Sequence, residues 1–294
     1  MKYSMSTKVR LMLKPCFLCS VLTSVLPLIE TYDLFSHTFP QRNLGMVDHK
    51  AGHLEIDIAG DRYDIRQSPG LLTSSNTEGT TGAALWKISP LVAEWLIDKT
   101  NALWSAGILH PDAVVLELGC GVTGLIGLVM SKRIARYILS DQRSVLKLLQ
   151  ENVDANAPPD TSKVQGRTSR KAHPITGKVS KAHVLALNWE VDEANALDEV
   201  LGAADDIDLV IVCDCVFNDF LLQPLVTMCQ KICLRLPEKK TLLLIAQQLR
   251  SDEVYSTFMD ILLRRFRVWR LSDASLSPAL QNGSGFAVHL AVLQ

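Results

Sequence analysis

The sequence predicts an α/β fold with a mainly parallel, seven-stranded sheet that ends in an antiparallel C-terminal hairpin, preceded by a small N-terminal β-hairpin. Apolar strand-like runs alternate with amphipathic helical runs from about residue 113, as in parallel sheets covered on both faces. Two β runs follow each other at the C-terminus without a helix between them. One of them must therefore enter the sheet antiparallel, because a parallel pair needs a crossover connection.

Length and composition favour one α/β domain with additions. The chain has 294 residues, of which 48% are hydrophobic and 21% charged, so a core can form without disulfides. Thirty basic against 31 acidic residues exclude a dominantly basic nucleic-acid coat and a strongly acidic tail. The seven cysteines are expected to be small buried residues in a reducing compartment. The pair Cys16-x-x-Cys19 has no second pair to complete a metal site, so no metal is predicted.

Residues 1–31 are predicted to be a poorly ordered N-terminal extension. The stretch from Cys16 to Ile29 is apolar, but it is too short for a membrane span and contains Pro27. We therefore expect no membrane association and a cytoplasmic location. The basic, acid-poor start leaves a mitochondrial address open, with the nucleus as a further alternative.

Residues 32–82 are predicted to form a β-hairpin and a loop. Hydrophobic and charged residues alternate in LEIDIAGDRYDIRQ on both sides of Gly60-Asp61, which is the pattern of a hairpin. The loop at 68–82 is rich in Ser, Thr and Gly. The third region, 83–294, begins with an amphipathic helix that is expected to bend or restart at Pro90.

Strands and helices then alternate through the main domain. The predicted strands before the closing pair lie at 113–119, 135–141, 183–189, 207–214 and 239–247. Helices are predicted from about Thr123, in QRSVLKLLQENVDA, from Pro224 as a first helical residue, and after Ser251 as the N-cap. RVWRLSD and GFAVHLAVLQ form the closing β pair.

The segment 157–182 is predicted to be a basic loop insertion. It carries one acid, Asp160, and the basic residues Lys163, Arg167, Arg170, Lys171, Lys178 and Lys181. We interpret it as a solvated loop, with a weak RNA contact as the alternative.

A glycine-rich turn, Gly119-x-Gly121-x-x-Gly124, joins the first long strand to its helix. This spacing fits a dinucleotide site, but glycines alone do not choose the ligand. Glu117 precedes the turn, and its carboxylate would repel a pyrophosphate in a dry crevice. It suits S-adenosylmethionine, which carries an ammonium and a sulfonium and no phosphate. The alternative is that Glu117 caps a loop amide.

Two further strand ends point to a nucleoside. Asp141 ends the second strand, where a carboxylate accepts hydrogen bonds from ribose hydroxyls. Asn188 and Trp189 end the third strand at the same edge, where the indole would form a wall beside the adenine. A Trp buried in the core is the alternative.

The segment Asp214-Cys215-Val216-Phe217-Asn218 follows the fourth strand. A carboxylate beside an aromatic ring suits an aliphatic ammonium, and no Pro-Pro pair is present to favour a planar nitrogen. The alternative is that Asp214 caps the next segment and Phe217 lies in the core. Arg250 lies at the same edge and could recognise the substrate, although we expect it to form a surface salt bridge.

Together these segments resemble the seven-β-strand, S-adenosylmethionine-dependent protein-lysine methyltransferases of the methyltransferase-16 group. The resemblance extends from about Tyr32 to Gln294. It is carried by GTTGAALWKISPLVAEWL, LELGCGVTGLIG, LSDQRSVLKLLQEN, LNWE, DCVFNDFLLQPL and LRSDEV. DCVF matches the family's Asp/Glu-x-x-Tyr/Phe motif, and Phe217 in place of Tyr removes any hydroxyl role at that position.

The resemblance implies a Rossmann-like fold, S-adenosylmethionine as cofactor, and Asp214 and Phe217 at the substrate lysine. The implied cofactor-binding residues are Trp86, Glu117, Gly119, Gly121, Gly124, Asp141, Gln142, Asn188, Trp189 and Asp214. The implied substrate is a protein, which in the fungal members is a large-subunit ribosomal protein, and we expect the enzyme to be a monomer. We hypothesise that Asp214 docks the lysine ammonium and that water removes its proton.

Three alternatives remain open. The first is methylation of RNA or a small metabolite, which the basic insertion supports and the missing Pro-Pro pair weakens. The second is a non-catalytic binding module. The third is an NAD-dependent dehydrogenase, which Glu117 disfavours.

Overall fold

The computed structural model describes residues 18–22, 27–36, 45–72, 81–157, 181–202 and 205–294. Its strands are β1 (Leu18–Leu22), β2 (His53–Ile58), β3 (Asp61–Arg66), β4 (Val114–Leu118), β5 (Arg136–Asp141), β6 (Ala182–Ala186), β7 (Leu209–Cys213), β8 (Leu242–Gln248), β9 (Phe266–Leu271) and β10 (Phe286–Leu293). Its α-helices are α1 (Pro27–Phe35), α2 (Pro69–Leu72), α3 (Ile88–Ile97), α4 (Ala102–Ser105), α5 (Leu125–Met130), α6 (Arg143–Ala155), α7 (Asp219–Cys233) and α8 (Asp252–Leu263).

The main sheet has the strand order β1-β9-β10-β8-β7-β4-β5-β6. The strands from β8 to β6 are parallel, whereas β10 enters antiparallel between β8 and β9. This confirms the predicted α/β class, the parallel sheet and the antiparallel C-terminal hairpin. The separate hairpin of β2 and β3 is also confirmed.

Both faces of the parallel strands are buried. Leu116, Ile138 and Val210 are partners in register and belong to the core on one face. Val115 and Leu209, each one position away, belong to the core on the other face. Because side chains alternate across a strand, continuous apolar runs fit a sheet covered by helices on both sides.

An eighth strand extends the sheet beyond the predicted seven. Strand β1 pairs antiparallel with β9, so that Val21 lies opposite Trp269, and α1 packs against α8. The prediction of a poorly ordered extension at 1–31 is therefore wrong for residues 18–22, which form a strand, and for residues 27–31, which belong to a helix. Pairing with β1 satisfies backbone groups of β9 that would otherwise form an open edge. Local sequence patterns do not reveal such a pairing.

Two helix starts differ from the sequence prediction. Helix α7 begins at Asp219 and contains Pro224, because the Asn218 side chain accepts a hydrogen bond from the Phe220 amide and caps the earlier turn. Pro90 lies in the first turn of α3, where a missing N–H is tolerated, so the helix need not restart there. The N-cap prediction at Ser251 is confirmed by its hydrogen bond from the Val254 amide.

Within the described ranges, none of the helices combines the length and the apolar character needed to cross a membrane. Residues 158–180, most of the predicted basic insertion, lie outside the described residues. That interpretation remains a prediction.

Candidate active site

A cleft lies at the carboxyl ends of the parallel strands β4, β5 and β7. It encloses about 820 Å³, its open mouth included. The predicted site residues that line it are Trp86, Glu117, Gly119, Gly121, Asp141, Gln142, Asn188, Trp189, Asp214 and Phe217. The sheet thus brings together residues far apart in sequence at one edge, where α/β sheets place their ligands.

Close backbone approach explains the first two glycines of the turn. Gly119 and Gly121 have φ angles of 68° and 65°, which favour glycine. A Cβ on Gly119 would lie 2.8 Å from both the Cys215 sulfur and the Trp189 ring. A Cβ on Gly121 would lie 2.8 Å from the Gly82 carbonyl oxygen. Neither position leaves room for a larger residue.

Gly124 has a different role from the other two glycines. It is not among the residues that line the cleft, and it lies at the N-cap of α5. A Cβ there would lie 2.6 Å from a Leu149 methyl and 3.1 Å from a Leu139 methyl. Gly124 therefore allows close packing of α5 against α6 and β5, and the predicted cofactor contact stays a prediction.

Glu117 is a buried carboxylate at the cleft wall, with 3% of the residue exposed. It accepts a hydrogen bond from the Tyr137 hydroxyl at 2.7 Å, so it does not cap a loop amide. Desolvation raises the pKa of Glu117 to about 7, with Asp141 adding to the rise and the Tyr137 hydrogen bond opposing it. A cationic ligand would favour the ionised form.

Asp141 connects the end of β5 to the glycine turn. Its two carboxylate oxygens accept hydrogen bonds from the backbone N–H groups of Gly121 and Gln142, each at 2.7 Å. Burial raises the pKa of Asp141, and these two amides oppose the rise. Each oxygen keeps lone-pair capacity for a hydroxyl, as ribose recognition requires.

Trp189 has an unsatisfied donor. Its ring lies beside Gly119, and its buried indole Nε1 has no hydrogen-bond partner among the described residues. Buried polar groups normally have partners, so a ligand acceptor at this wall is a physical explanation for the orphaned N–H. Asn188 orders the adjoining turn by accepting a hydrogen bond from the Glu190 amide.

Asp214 adopts a left-handed backbone conformation, with φ 59°, where β7 ends. Its side chain is 1% exposed and forms a bidentate ion pair with Arg250, with Nη1–Oδ1 at 2.8 Å and Nη2–Oδ2 at 2.6 Å. The cap of α7 is Asn218. The alternative that Asp214 caps the next segment is therefore wrong, and so is the expectation of a surface salt bridge for Arg250.

Aromatic side chains flank this pair. The Arg250 guanidinium lies 4.8 Å from the centroid of the Trp86 ring, whose Nε1 donates to the Thr81 carbonyl. Phe217 is 38% exposed at the cleft, so the alternative of a core Phe is wrong. Local sequence patterns do not reveal the contact of Tyr137 with Glu117, which depends on the order of the strands, or that of Arg250 with Asp214, which depends on the turns after β7 and β8.

The residues of the cleft fit S-adenosylmethionine. Glu117 offers a buried carboxylate to a cation, Asp141 offers hydrogen-bond acceptors to a ribose, and Trp189 offers an unpaired N–H. A diphosphate would instead face these two carboxylates in a poorly solvated cleft. The fold and the cleft thus define an S-adenosylmethionine-dependent methyltransferase.

Comparison with known proteins leads to the family. Residues 65–265 match the lysine methyltransferase family, and the chain belongs to it. Ribosomal lysine N-methyltransferase 5 of Eremothecium gossypii is 28% identical over 308 residues, covering 89% of this chain and 93% of the relative. The protein of the same name from Kluyveromyces lactis is 23% identical over 280 residues, covering 80% and 87%.

Another relative has a different name. The diaminohydroxyphosphoribosylamino-pyrimidine deaminase of Schizosaccharomyces pombe is 28% identical over 226 residues, covering 77% of this chain. The chain spans about half of that protein, 48% of its length. Among solved structures, the putative methyltransferase SMU.776, complexed with S-adenosylhomocysteine (SAH), has a TM-score of 0.46 and 10% identity. That match covers 87% of this chain and 58% of the other.

Proposed function

We propose that this methyltransferase transfers methyl groups to the side-chain nitrogen of a lysine in a large-subunit ribosomal protein. The observation that carries the proposal is that a buried carboxylate, Asp214, and an exposed aromatic ring, Phe217, both line the cleft that fits the cofactor. Membership of the lysine methyltransferase family supports the reaction. The names of the two fungal relatives described above support the class of substrate.

In this proposal the cofactor site is divided among three strand ends. Glu117 faces the cationic part of the cofactor, Asp141 holds the ribose, and Trp189 forms the wall beside the adenine. Gln142, Asn188 and Trp86 complete the lining. When bound, S-adenosylmethionine supplies an electrophilic methyl group.

The remaining residues prepare the acceptor. A free lysine has a pKa of about 10.4, so its ammonium must lose a proton before its nitrogen is nucleophilic. In this proposal the Phe217 ring, which lines the cleft, contacts the aliphatic chain and the cationic form of the lysine, and it has no hydroxyl to act as base. Water is therefore the proposed proton acceptor. Alignment of the amine with the methyl group would supply most of the acceleration.

The substitution Asp214→Asn tests whether Asp214 acts on the acceptor lysine rather than on the cofactor. We expect a large loss of turnover with affinity for SAH retained, measured by methyl-transfer kinetics and by calorimetry. Asp219→Asn is the matched control, because Asp219 is an exposed acid in the first turn of α7. Equal loss of turnover and SAH binding would show that Asp214 is a cofactor or folding residue instead.

The acceptor class needs a separate experiment. Lysate from a fungal strain that lacks the counterpart enzyme is incubated with the protein and with cofactor that carries a labelled methyl group. Label that is sensitive to protease and resistant to RNase supports a protein acceptor. The reverse pattern would favour RNA, label in small molecules would favour a metabolite, and SAH binding without labelling would favour a binding module.

A monomeric state and a cytoplasmic location are further proposals.

A further inference from the structure

The acceptor site contains an electrostatic conflict, because an unpaired Asp214 carboxylate would stabilise the ammonium form of lysine, which is not nucleophilic. In the structure the carboxylate is paired. Oδ1 accepts hydrogen bonds from Arg250 Nη1, Gln247 Nε2 and the Gln248 amide, at 2.8, 2.9 and 3.2 Å. Oδ2 accepts one from Arg250 Nη2 at 2.6 Å. The negative charge of Asp214 is therefore balanced by a guanidinium in direct contact.

Arg250 is held in place by contacts other than Asp214. Its Nη2 also donates to Gln248 Oε1 at 2.8 Å, and its guanidinium lies over the Trp86 ring. The backbone of Gly45 approaches so closely that a Cβ there would lie 2.6 Å from Nη2. The arginine side chain is 24% exposed, so its charge is only partly screened by water.

The other ionisable side chains that line the cleft, among the described residues, are carboxylates and thiols. The described residues that line the cleft include three acids and no Lys, Arg or His. Lys87 follows Trp86 in the sequence but does not line the cleft. The described ionisable groups that line the cleft with Asp214 are Glu117, Asp141, Cys120, Cys213 and Cys215, and the Tyr137 hydroxyl donates to Glu117. A carboxylate favours the ammonium form of the acceptor lysine, and a neutral thiol or hydroxyl has little effect on it. The positive charge of Arg250 favours the neutral amine instead.

We propose that Arg250 is a positioning residue that neutralises Asp214 and so allows the target lysine to be held as the neutral amine. This inference rests on the proposed lysine methylation. Without the guanidinium, Asp214 would raise the pKa of the bound lysine by about 1–3 units, as a nearby opposite charge does. Each unit reduces the neutral fraction tenfold at a pH below that pKa. In this inference Asp214 orients the amine and Arg250 balances the charge of Asp214.

The test is the pH dependence of kcat, which reports groups in the enzyme–substrate complex. The acceptor is large-subunit ribosomal protein from a fungal strain lacking the counterpart enzyme, at saturating concentration. For Arg250→Gln, the rising limb of kcat should move to higher pH by about one unit or more. Arg250→Lys keeps the positive charge and should keep the midpoint. Arg267→Gln is the matched control, because Arg267 also stacks on a tryptophan, Trp269 at 5.3 Å, but lies on β9.

A double variant separates charge from structure. Combining Asp214→Asn with Arg250→Gln removes both charges, so the midpoint should return towards that of the unmodified enzyme even if kcat is low. SAH binding by each variant checks that the cleft is folded. If Arg250→Gln lowers kcat without moving the midpoint, Arg250 acts only structurally and the inference is overturned. If the unmodified enzyme labels no lysine, the proposed function fails first and the inference fails with it.

Discussion

Among single residues, Glu117 has the clearest physical consequence. Its pKa is about 7 in the folded protein, against 4.5 for an unperturbed Glu, chiefly because it is desolvated. Between these two values the folded state binds more protons than the unfolded state. The contribution of Glu117 to stability is therefore lost as pH rises through this window, and it amounts to about 3 kcal/mol at about 1.4 kcal/mol per unit.

We predict that Glu117→Gln removes this pH dependence. Gln can still accept the hydrogen bond from Tyr137, but it cannot ionise. Urea unfolding without cofactor should show the unmodified protein losing stability relative to the variant between about pH 4 and pH 8, by about 3 kcal/mol. Parallel curves for the two proteins would contradict a raised pKa at Glu117.

The same residue couples cofactor binding to protons. A cationic ligand favours ionised Glu117, so binding of S-adenosylmethionine below the pKa of about 7 should release a proton. Calorimetry at pH 6 in two buffers with different ionisation enthalpies measures that release. Glu117→Gln should bind far more weakly. Unchanged affinity in the variant, or proton uptake by the unmodified protein, would place the cation elsewhere.

The sequence was sufficient to place the three carboxylates of the cleft at one edge of the sheet, but it did not reveal their partners. Glu117, Asp141 and Asp214 each lie near the end of a predicted strand, and parallel strands bring such residues to one edge. The contact between Asp214 and Arg250 depends on how the turns after β7 and β8 are folded. The hydroxyl of Tyr137 reaches Glu117 only because β4 and β5 are neighbours in the sheet.

Two glycines distinguish the effect of a left-handed backbone from the effect of a close neighbour. Gly121 and Gly107 both have left-handed φ angles, 65° and 68°, but a Cβ on Gly107 would meet nothing within 4 Å. Gly107→Ala should therefore cost only about 1 kcal/mol, measured by urea unfolding, and leave SAH binding intact. Gly121→Ala adds a clash with the Gly82 carbonyl and should abolish binding. Similar SAH affinities for both variants would show that the approach of Gly82 is unimportant.

Among the elements, helix α6 connects the hairpin to the cofactor turn. The side-chain amide of Asn152, which is completely buried, donates to the carbonyls of Arg66 and Val122 and accepts from the Arg66 amide. Arg66 ends β3, and Val122 lies between Gly121 and Gly124 of the glycine turn. One side chain thus fixes the N-terminal hairpin against the segment that approaches the cofactor.

We predict that Asn152→Ala lowers the free energy of unfolding by about 3 kcal/mol, because buried backbone groups lose their partners. Asn156→Ala is the matched control, since its amide makes equivalent bonds to Asp64 but is partly exposed. Water can replace those bonds, so a loss of about 1 kcal/mol or less is expected. Chemical denaturation measures both. Equal losses would mean that Asn152 does not fix the hairpin.

The main-domain strands and the cap of α8 follow from local patterns, whereas β1 depends on a distant strand and the start of α7 depends on which of two local signals prevails. The main-domain strands follow from continuous apolar runs, and α8 follows from its Ser251 cap. Proline is favoured in a first turn, which predicts that α7 starts at Pro224, but the cap at Asn218 starts the helix at Asp219. Strand β1 could not be predicted, since its partner β9 is about 250 residues away in sequence.

In the molecule as a whole, the N-terminal helix covers the antiparallel side of the sheet. Glu30 of α1 is buried beside His289, at 3.3 Å, and Arg270, at 3.5 Å. The Tyr255 hydroxyl lies 3.1 Å from the same His289 ring. None of these residues lines the cofactor cleft, so this cluster stabilises the fold rather than the site.

Two acids on α1 test that role, since both pair with Arg270. The Glu30 side chain is 6% exposed and that of Asp33 48%. Glu30→Ala should cost about 3 kcal/mol, because it leaves buried partners unmatched, whereas Asp33→Ala should cost less than about 1 kcal/mol. Denaturant midpoints give the comparison, and SAH affinity should be the same in both variants. An equal loss of unfolding free energy in Asp33→Ala and Glu30→Ala would contradict a structural role for the buried cluster.

Location of the transferred methyl group tests the central claim most directly. Large-subunit ribosomal proteins from a fungal strain lacking the counterpart enzyme are incubated with the protein and trideuteromethyl cofactor, then analysed by tandem mass spectrometry. A cleft that holds the donor at Glu117 and Asp141 and the acceptor at Asp214 and Phe217 predicts label on the side-chain nitrogen of lysine. Label confined to other residues or to RNA, with lysines unchanged, would contradict it.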